Sequence, residues 1–145
     1  MSDENIEFQK TERTERRFNT RYKSADIYTY FRPLKKWNLF NRFQGPCLVD
    51  DISISSIRFD SILPIDEGCE IEIKIASVEK VSTLKIKGRI FRIEKSVTSG
   101  SKLYVVQFSP YGSRSLYNSI QVKKQLEKYF SEFQQEQELS SLQNG

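Results

Sequence analysis

A chain of 145 residues with 37% hydrophobic and 29% charged residues fits one soluble domain around a single core, with some residues left outside it. The formal charge is +4, and there are two cysteines and no histidine, which excludes histidine-dependent nucleophilic catalysis, the common zinc-ligand sets and a disulfide framework. No run approaches the roughly 18 apolar residues that span a bilayer, so membrane insertion is not expected.

Residues 1–12 offer only Ile6 and Phe8 for burial and are read as a flexible lead-in. The opening Met1-Ser2-Asp3-Glu4 lacks the basic and apolar regions of a secretory signal, so a cytoplasmic location is expected. Residues 24–33, rich in aromatic and β-branched types and closed by Pro33, predict a first strand. Residues 34–46 carry Asn38, Asn41, Gly45 and Pro46 among aromatics and predict a long connection. From Cys47 to Phe59 the apolar positions fall at Ile52 and Ile54, then at Ile57 and Phe59. That change of phase near Ser55 and Ser56 predicts a bulge or bend.

Pro64, Asp66, Glu67 and Gly68 mark a turn, after which Cys69, Ile71, Ile73 and Ile75 alternate with Glu70, Glu72 and Lys74 as a half-buried strand. Leu84, Ile86, Gly88 and Ile90 repeat the pattern and change phase at Phe91 and Ile93, where a bend allowed by Gly88 would help a sheet close. Thr98-Ser99-Gly100-Ser101 predicts a hairpin turn into Tyr104, Val106 and Phe108. Cys47 and Cys69 are read as small buried apolar residues. The spacing then becomes helical. With Ser113 or Ser115 as N-cap, Leu116, Ile120, Val122, Leu126, Tyr129, Phe130 and Phe133 predict one helix over 114–135. Its Leu116, Ile120, Val122 and Leu126 are expected on the chain's own sheet, with the later aromatics open to a partner. Residues from Gln134 read as a frayed polar tail. Short antiparallel strands followed by one helix predict an all-β fold, a six-stranded barrel with a C-terminal helix.

Charge is concentrated near the N-terminus. Six basic residues between Lys10 and Lys23, four of them arginine, stand against Glu12 and Glu15. Between Phe31 and Val49, Arg32, Lys35, Lys36 and Arg42 interleave with Phe31, Trp37, Phe40 and Phe43 with no acid among them. Both stretches point to an anionic partner. The acidic residues form no evident catalytic pair, so binding is expected in place of catalysis.

Two motifs sharpen this. Arg17-Phe18-Asn19-Thr20-Arg21 fits an RxxxR pattern, and Asp51-Ile52-Ser53-Ile54-Ser55-Ser56 fits most of a (D/N)xSxxG pattern about 30 residues later. With Gly88-Arg89-Ile90 and Val105-Val106-Gln107-Phe108 ahead of the helix, the chain resembles the PilZ family of cyclic di-GMP receptors over residues 13–133. The resemblance implies a bacterial second-messenger receptor with a PilZ-type barrel, no cofactor, and a ligand site of Arg16, Arg17, Arg21, Asp51, Ser53 and Ser56. Arg17 and Arg21 would bind phosphate or guanine, since arginine's planar fork does either and also stacks. Asp51 would accept from a guanine N–H edge, Ser53 would hydrogen-bond nearby from the barrel surface, and Arg16 would favour a stacked pair of nucleotides over one.

The residues leave other readings open. Asp51 and Ser53 also suit a turn or strand-end cap, and Arg13 and Arg16 a solvated charged face. Ser56 stands where the family has glycine, and Val105 adds bulk where another glycine is usual; either departure would weaken nucleotide binding. A nucleotide-independent adaptor docking a downstream protein is then the alternative. A barrel binding single-stranded nucleic acid through Trp37, Phe40 and Phe43 is another, and the moderate net charge argues against nucleic acid as partner. Val122, Leu126, Tyr129 and Phe133 have a spacing that would permit helix pairing in a homodimer.

Overall fold

Alternation of β-branched and charged residues builds the wall of this molecule. A computed structural model describes residues 21–23, 27–34, 42–77, 80–97 and 100–144. Among the described residues, six strands, β1 (Ile27–Pro33), β2 (Gln44–Ile52), β3 (Ser56–Ser61), β4 (Glu70–Ser77), β5 (Lys80–Lys95) and β6 (Lys102–Phe108), precede one helix, α1 (Ile120–Asn144). The strands close into a barrel in the order β1-β2-β3-β6-β5-β4, each neighbouring pair antiparallel. The expected six-stranded antiparallel barrel with a C-terminal helix is what the chain forms.

Ile71, Ile73 and Ile75 on β4 meet Leu84, Ile86 and Ile90 of β5 inside, all nearly inaccessible, while Glu70, Glu72 and Lys74 face outward. Each such isoleucine or leucine contributes about 1.5 to 3 kcal/mol by leaving water. Phe31, Phe59 and Tyr104 form an aromatic column across the interior, with centroids 5.4 and 5.9 Å apart. The buried Tyr104 hydroxyl donates to the Leu63 carbonyl at 2.8 Å and accepts from the Ile65 amide at 3.2 Å, so it costs no unsatisfied group. Cys47 is buried, and desolvation pushes its thiol pKa up, partly offset by a hydrogen bond with Ser61, as suits an inert core residue.

Several expectations need correction. The first strand begins at Ile27, and the part of the predicted strand at 24–26 lies outside the described residues, as do Lys35, Lys36, Trp37 and Phe40. The predicted connection over 34–46 gives way early, because β2 already starts at Gln44. The phase change near Ser55 is a complete reversal of direction: Ser53, Ile54 and Ser55 form the turn between β2 and β3, which pair Ile52 with Ile57 and Asp51 with Arg58. A bulge does occur one step earlier, between Val49 and Asp51.

On β5 the second phase change is a bulge, since Ile90 pairs with Val106 and Arg92 with Val105, which leaves Phe91 unpaired and 63% exposed. Gly88 serves a different purpose from the predicted bend. A Cβ there would lie 2.7 Å from the Gln107 carbonyl oxygen and 2.7 Å from Val106 Cγ1, so glycine lets β5 approach β6.

Helix α1 begins at Ile120, six residues later than expected, with Ser119 Oγ accepting from the Val122 amide at 3.3 Å as its cap. Residues 110–118 are held otherwise. The buried Asn118 side chain accepts from the Lys87 amide and donates to the carbonyls of Lys87 and Ser109, which ties this loop to β5. Leu116 and Ile120 are therefore exposed instead of packed. Leu126, Tyr129 and Phe130 close over Ile27, Ile52 and Ile75, and Val122 packs beside them. Leu126 and Phe130 are buried against the chain's own barrel, so Leu126 is taken from the predicted pairing seam and Phe130 is not open to a partner. The helix also continues through the expected tail to Asn144, over glutamine, glutamate and leucine residues that favour it. Among the described residues no helix is long and apolar enough to cross a membrane.

Candidate functional site

The turn that joins β2 to β3 carries the second motif, and four separate fixings hold it. Ser53 Oγ accepts from the amides of Ser55 and Ser56 at 3.3 and 3.1 Å and contacts Ser56 Oγ at 3.1 Å. The Ser53 amide donates to the Ser56 carbonyl at 2.8 Å. The Phe108 amide donates to the Ser55 carbonyl at 2.8 Å, and the Tyr111 hydroxyl donates to the Ile54 carbonyl at 2.7 Å. Burial, reinforced by the charge of Glu127, pushes the Tyr111 hydroxyl well above the usual tyrosine range, so it stays a donor. Ser53 is 1% exposed, so it acts from within the turn and not from the barrel surface as expected. No residue other than glycine has a positive φ among the described residues, so Ser56 sits in β3 without the backbone strain that a glycine would relieve.

This rigid turn presents Asp51. Its side chain is 6% exposed, and Arg21 Nη1 donates to its Oδ1 at 2.5 Å across 30 residues of sequence. A carboxylate that far from water needs cations, and among the described residues Asp51 has two. The second is Arg58, its cross-strand partner on β3, whose Nε is 3.8 Å from Asp51 Oδ2. Arg58 also reaches Asp50 at 3.9 Å and Glu94 at 3.3 Å, and Glu94 in turn pairs with Arg92 at 2.9 Å. Val105 lies between Arg58 and Arg92 in register and is buried, an apolar floor to this network.

The two cations on Asp51 differ in kind. Arg58 is anchored in a strand with a side chain 24% exposed, and its Nε is buried without a hydrogen bond. Arg21 is on the approaching segment with a side chain 43% exposed, where water and salt weaken its hold. Arg21 is therefore the more solvent-exposed of the two cations and Arg58 the more buried. The arrangement offers a planar guanidinium beside a nearly buried carboxylate, which can accept from one N–H edge while the arginine meets an anion.

No protein-family model matches the chain, and no curated protein matches it. A solved structure is similar to the chain. It is the crystal structure of the Borreliella burgdorferi PlzA protein in complex with c-di-GMP, 10% identical, with a TM-score of 0.44. The match covers 86% of this chain and 57% of that one, so the chain spans little more than half of PlzA. A likeness at that level leaves the ligand to be argued from the residues of this chain.

Of the predicted site residues, the structure brings Arg21 to Asp51 and places Ser53 in the turn behind it and Ser56 at the start of β3, while Arg16 and Arg17 lie outside the described residues. Arg58 and Tyr22 were missed. Tyr22 follows Arg21 and forms a two-bond bridge with Ile52, at 2.8 and 3.0 Å, while its ring stacks on Phe130 of α1 at 4.4 Å and 12°. The signal for Arg58 was present in the outward positions of β3, and only the unrecognised turn hid its register with Asp51.

Proposed function

We propose that this chain is a bacterial cyclic di-GMP receptor, a binding protein and not an enzyme, in which Arg17 and Arg21 grip the nucleotide and Asp51 reads a guanine edge. The observation that carries the reading is the pair of partly exposed Arg21 with nearly buried Asp51, next to a turn fixed from below. The ligand supplies two phosphate charges and guanine O6 and N7 acceptors for arginine, and guanine N–H donors for Asp51. When Arg21 turns to the ligand, Arg58 keeps Asp51 compensated, so exchange costs less than breaking an isolated buried pair. Ser53 and Ser56 hold the geometry of the turn, and Arg16 selects a stacked pair of nucleotides.

The relay runs through Tyr22. A movement of Arg21 pulls on a residue bonded to β2 and stacked on α1, so nucleotide occupancy reaches the helix and through it a downstream protein partner. The site is read as cytoplasmic. The test is anisotropy of fluorescent cyclic di-GMP titrated with the wild-type chain and with Asp51→Asn. Saturable binding, weakened at least tenfold by the substitution, is expected. Equal affinity of the two proteins, or none for either, overturns the reading, and the second result leaves a nucleotide-independent adaptor.

A further inference from the structure

The opposite wall of the barrel carries a separate constellation, because β1 and β4 lie across the ring from β6 and β3. Register puts Tyr30, Lys74 and Lys85 in one row and Arg32, Glu72 and Lys87 in the next. Ile71, Ile73, Ile75, Leu84 and Ile86 point inward, so strand alternation turns all six of these residues outward. Phe43, just before β2, is not part of the core. Arg32 Cζ, Lys74 Nζ and Lys85 Nζ lie 4.5, 4.8 and 5.8 Å from its ring centroid, and Lys74 is 5.0 Å from that of Tyr30.

Arg32 takes Glu72 in two bonds of 2.9 and 2.6 Å. Among the described residues Lys74, Lys85 and Lys87 have no carboxylate partner. The charge of Lys74 and Lys85 is met by aromatic faces, and a ring quadrupole neutralises far less of it than a carboxylate does.

We propose that this face of β1, β4 and the first half of β5 binds single-stranded nucleic acid, with bases stacking on Phe43 and Tyr30 and phosphates on Lys74, Lys85 and Lys87. Cations interleaved with rings on one outward, mostly half-buried sheet face supply both contacts that a single strand needs. An acidic peptide would use the lysines and leave the rings without a purpose. The site is independent of Arg21 and Asp51, so it stands or falls apart from the cyclic di-GMP reading.

The experiment is anisotropy of labelled oligothymidylate and oligouridylate of about 12 nucleotides, the scale of one barrel's footprint. Three phosphate contacts give an affinity that falls roughly 20-fold between about 50 and about 200 mM salt. The double variant Lys74→Glu with Lys85→Glu is expected to bind at least tenfold more weakly, and Phe43→Ala about fivefold or more, while Arg21→Ala binds as the wild type does. Binding of either oligonucleotide with this pattern supports the proposal. No binding at about 50 mM salt, or binding that neither change weakens, overturns it. Displacement by oligoglutamate at equal charge, with Phe43→Ala unaltered, also overturns it in favour of an acidic protein segment.

Discussion

Replacing Tyr22 by alanine keeps the two main-chain bonds to Ile52 and removes the ring that stacks on Phe130. The stack itself is worth about 0.5 to 1.5 kcal/mol. Tyr22 is half-buried, so truncation returns about 80 to 120 Å² of apolar surface to water, or about 2 to 3 kcal/mol at 25 cal/mol per Å². Phe130, 7% exposed, loses its cover at the same time. A total near 3 kcal/mol is expected as a lower urea midpoint with little change in slope. Hydrogen exchange separates this from general weakening, because amides of α1 should lose protection before those of β4 and β5. Tyr22→Phe keeps the stack and should stay within about 0.5 kcal/mol of the wild type. Tyr22→Ala with unchanged helix protection would refute the coupling of the arginine segment to α1.

Tyr111→Phe removes the hydroxyl that holds the Ile54 carbonyl and should cost about 1 to 3 kcal/mol in urea unfolding at neutral pH. Because the folded pKa of Tyr111 is raised, its contribution is full below the unfolded value of about 10 and is lost as pH rises above it, so the alkaline fall in stability should be shallower in the phenylalanine variant. Asn118→Ala breaks three hydrogen bonds of 2.8 to 3.0 Å at a buried position and should cost about 2 to 4 kcal/mol, read as a drop in melting temperature. Gly88→Ala forces β5 away from the Gln107 carbonyl and should destabilise by at least about 2 kcal/mol; a neutral result would mean the strands separate freely there.

The barrel was legible where the alternation is clean. β4 reads as isoleucine against charge from Glu70 to Ser77, and the bulge at Phe91 shows as two adjacent apolar residues. The β2–β3 turn was not, because Ser53-Ile54-Ser55 contains no glycine, proline or asparagine and reverses the chain through serine side-chain bonds. The helix start was misplaced for a related reason. Ser113, Leu116 and Ile120 have helical spacing, but Asn118 finds better partners on β5, a tertiary choice that spacing does not encode. At the site, Arg21 and Asp51 are visible as motif residues, whereas Arg58 and Tyr22 depend on register and on a stack with a helix more than a hundred residues away.

On the proposed function, the Arg21–Asp51 pair opens to admit cyclic di-GMP. Isothermal titration calorimetry of the wild-type chain with unlabelled cyclic di-GMP, repeated with Arg21→Ala, reads that opening. Saturable heat from the wild type is expected, with at least a tenfold loss of affinity in the variant, since a charge-assisted contact is worth about 1.5 to 3 kcal/mol. Arg21 is exposed and outside the core, so the melting temperature of the ligand-free variant should move little beside that loss. Absence of heat with the wild type, or equal affinity in both proteins, would mean that the pair does not admit the nucleotide.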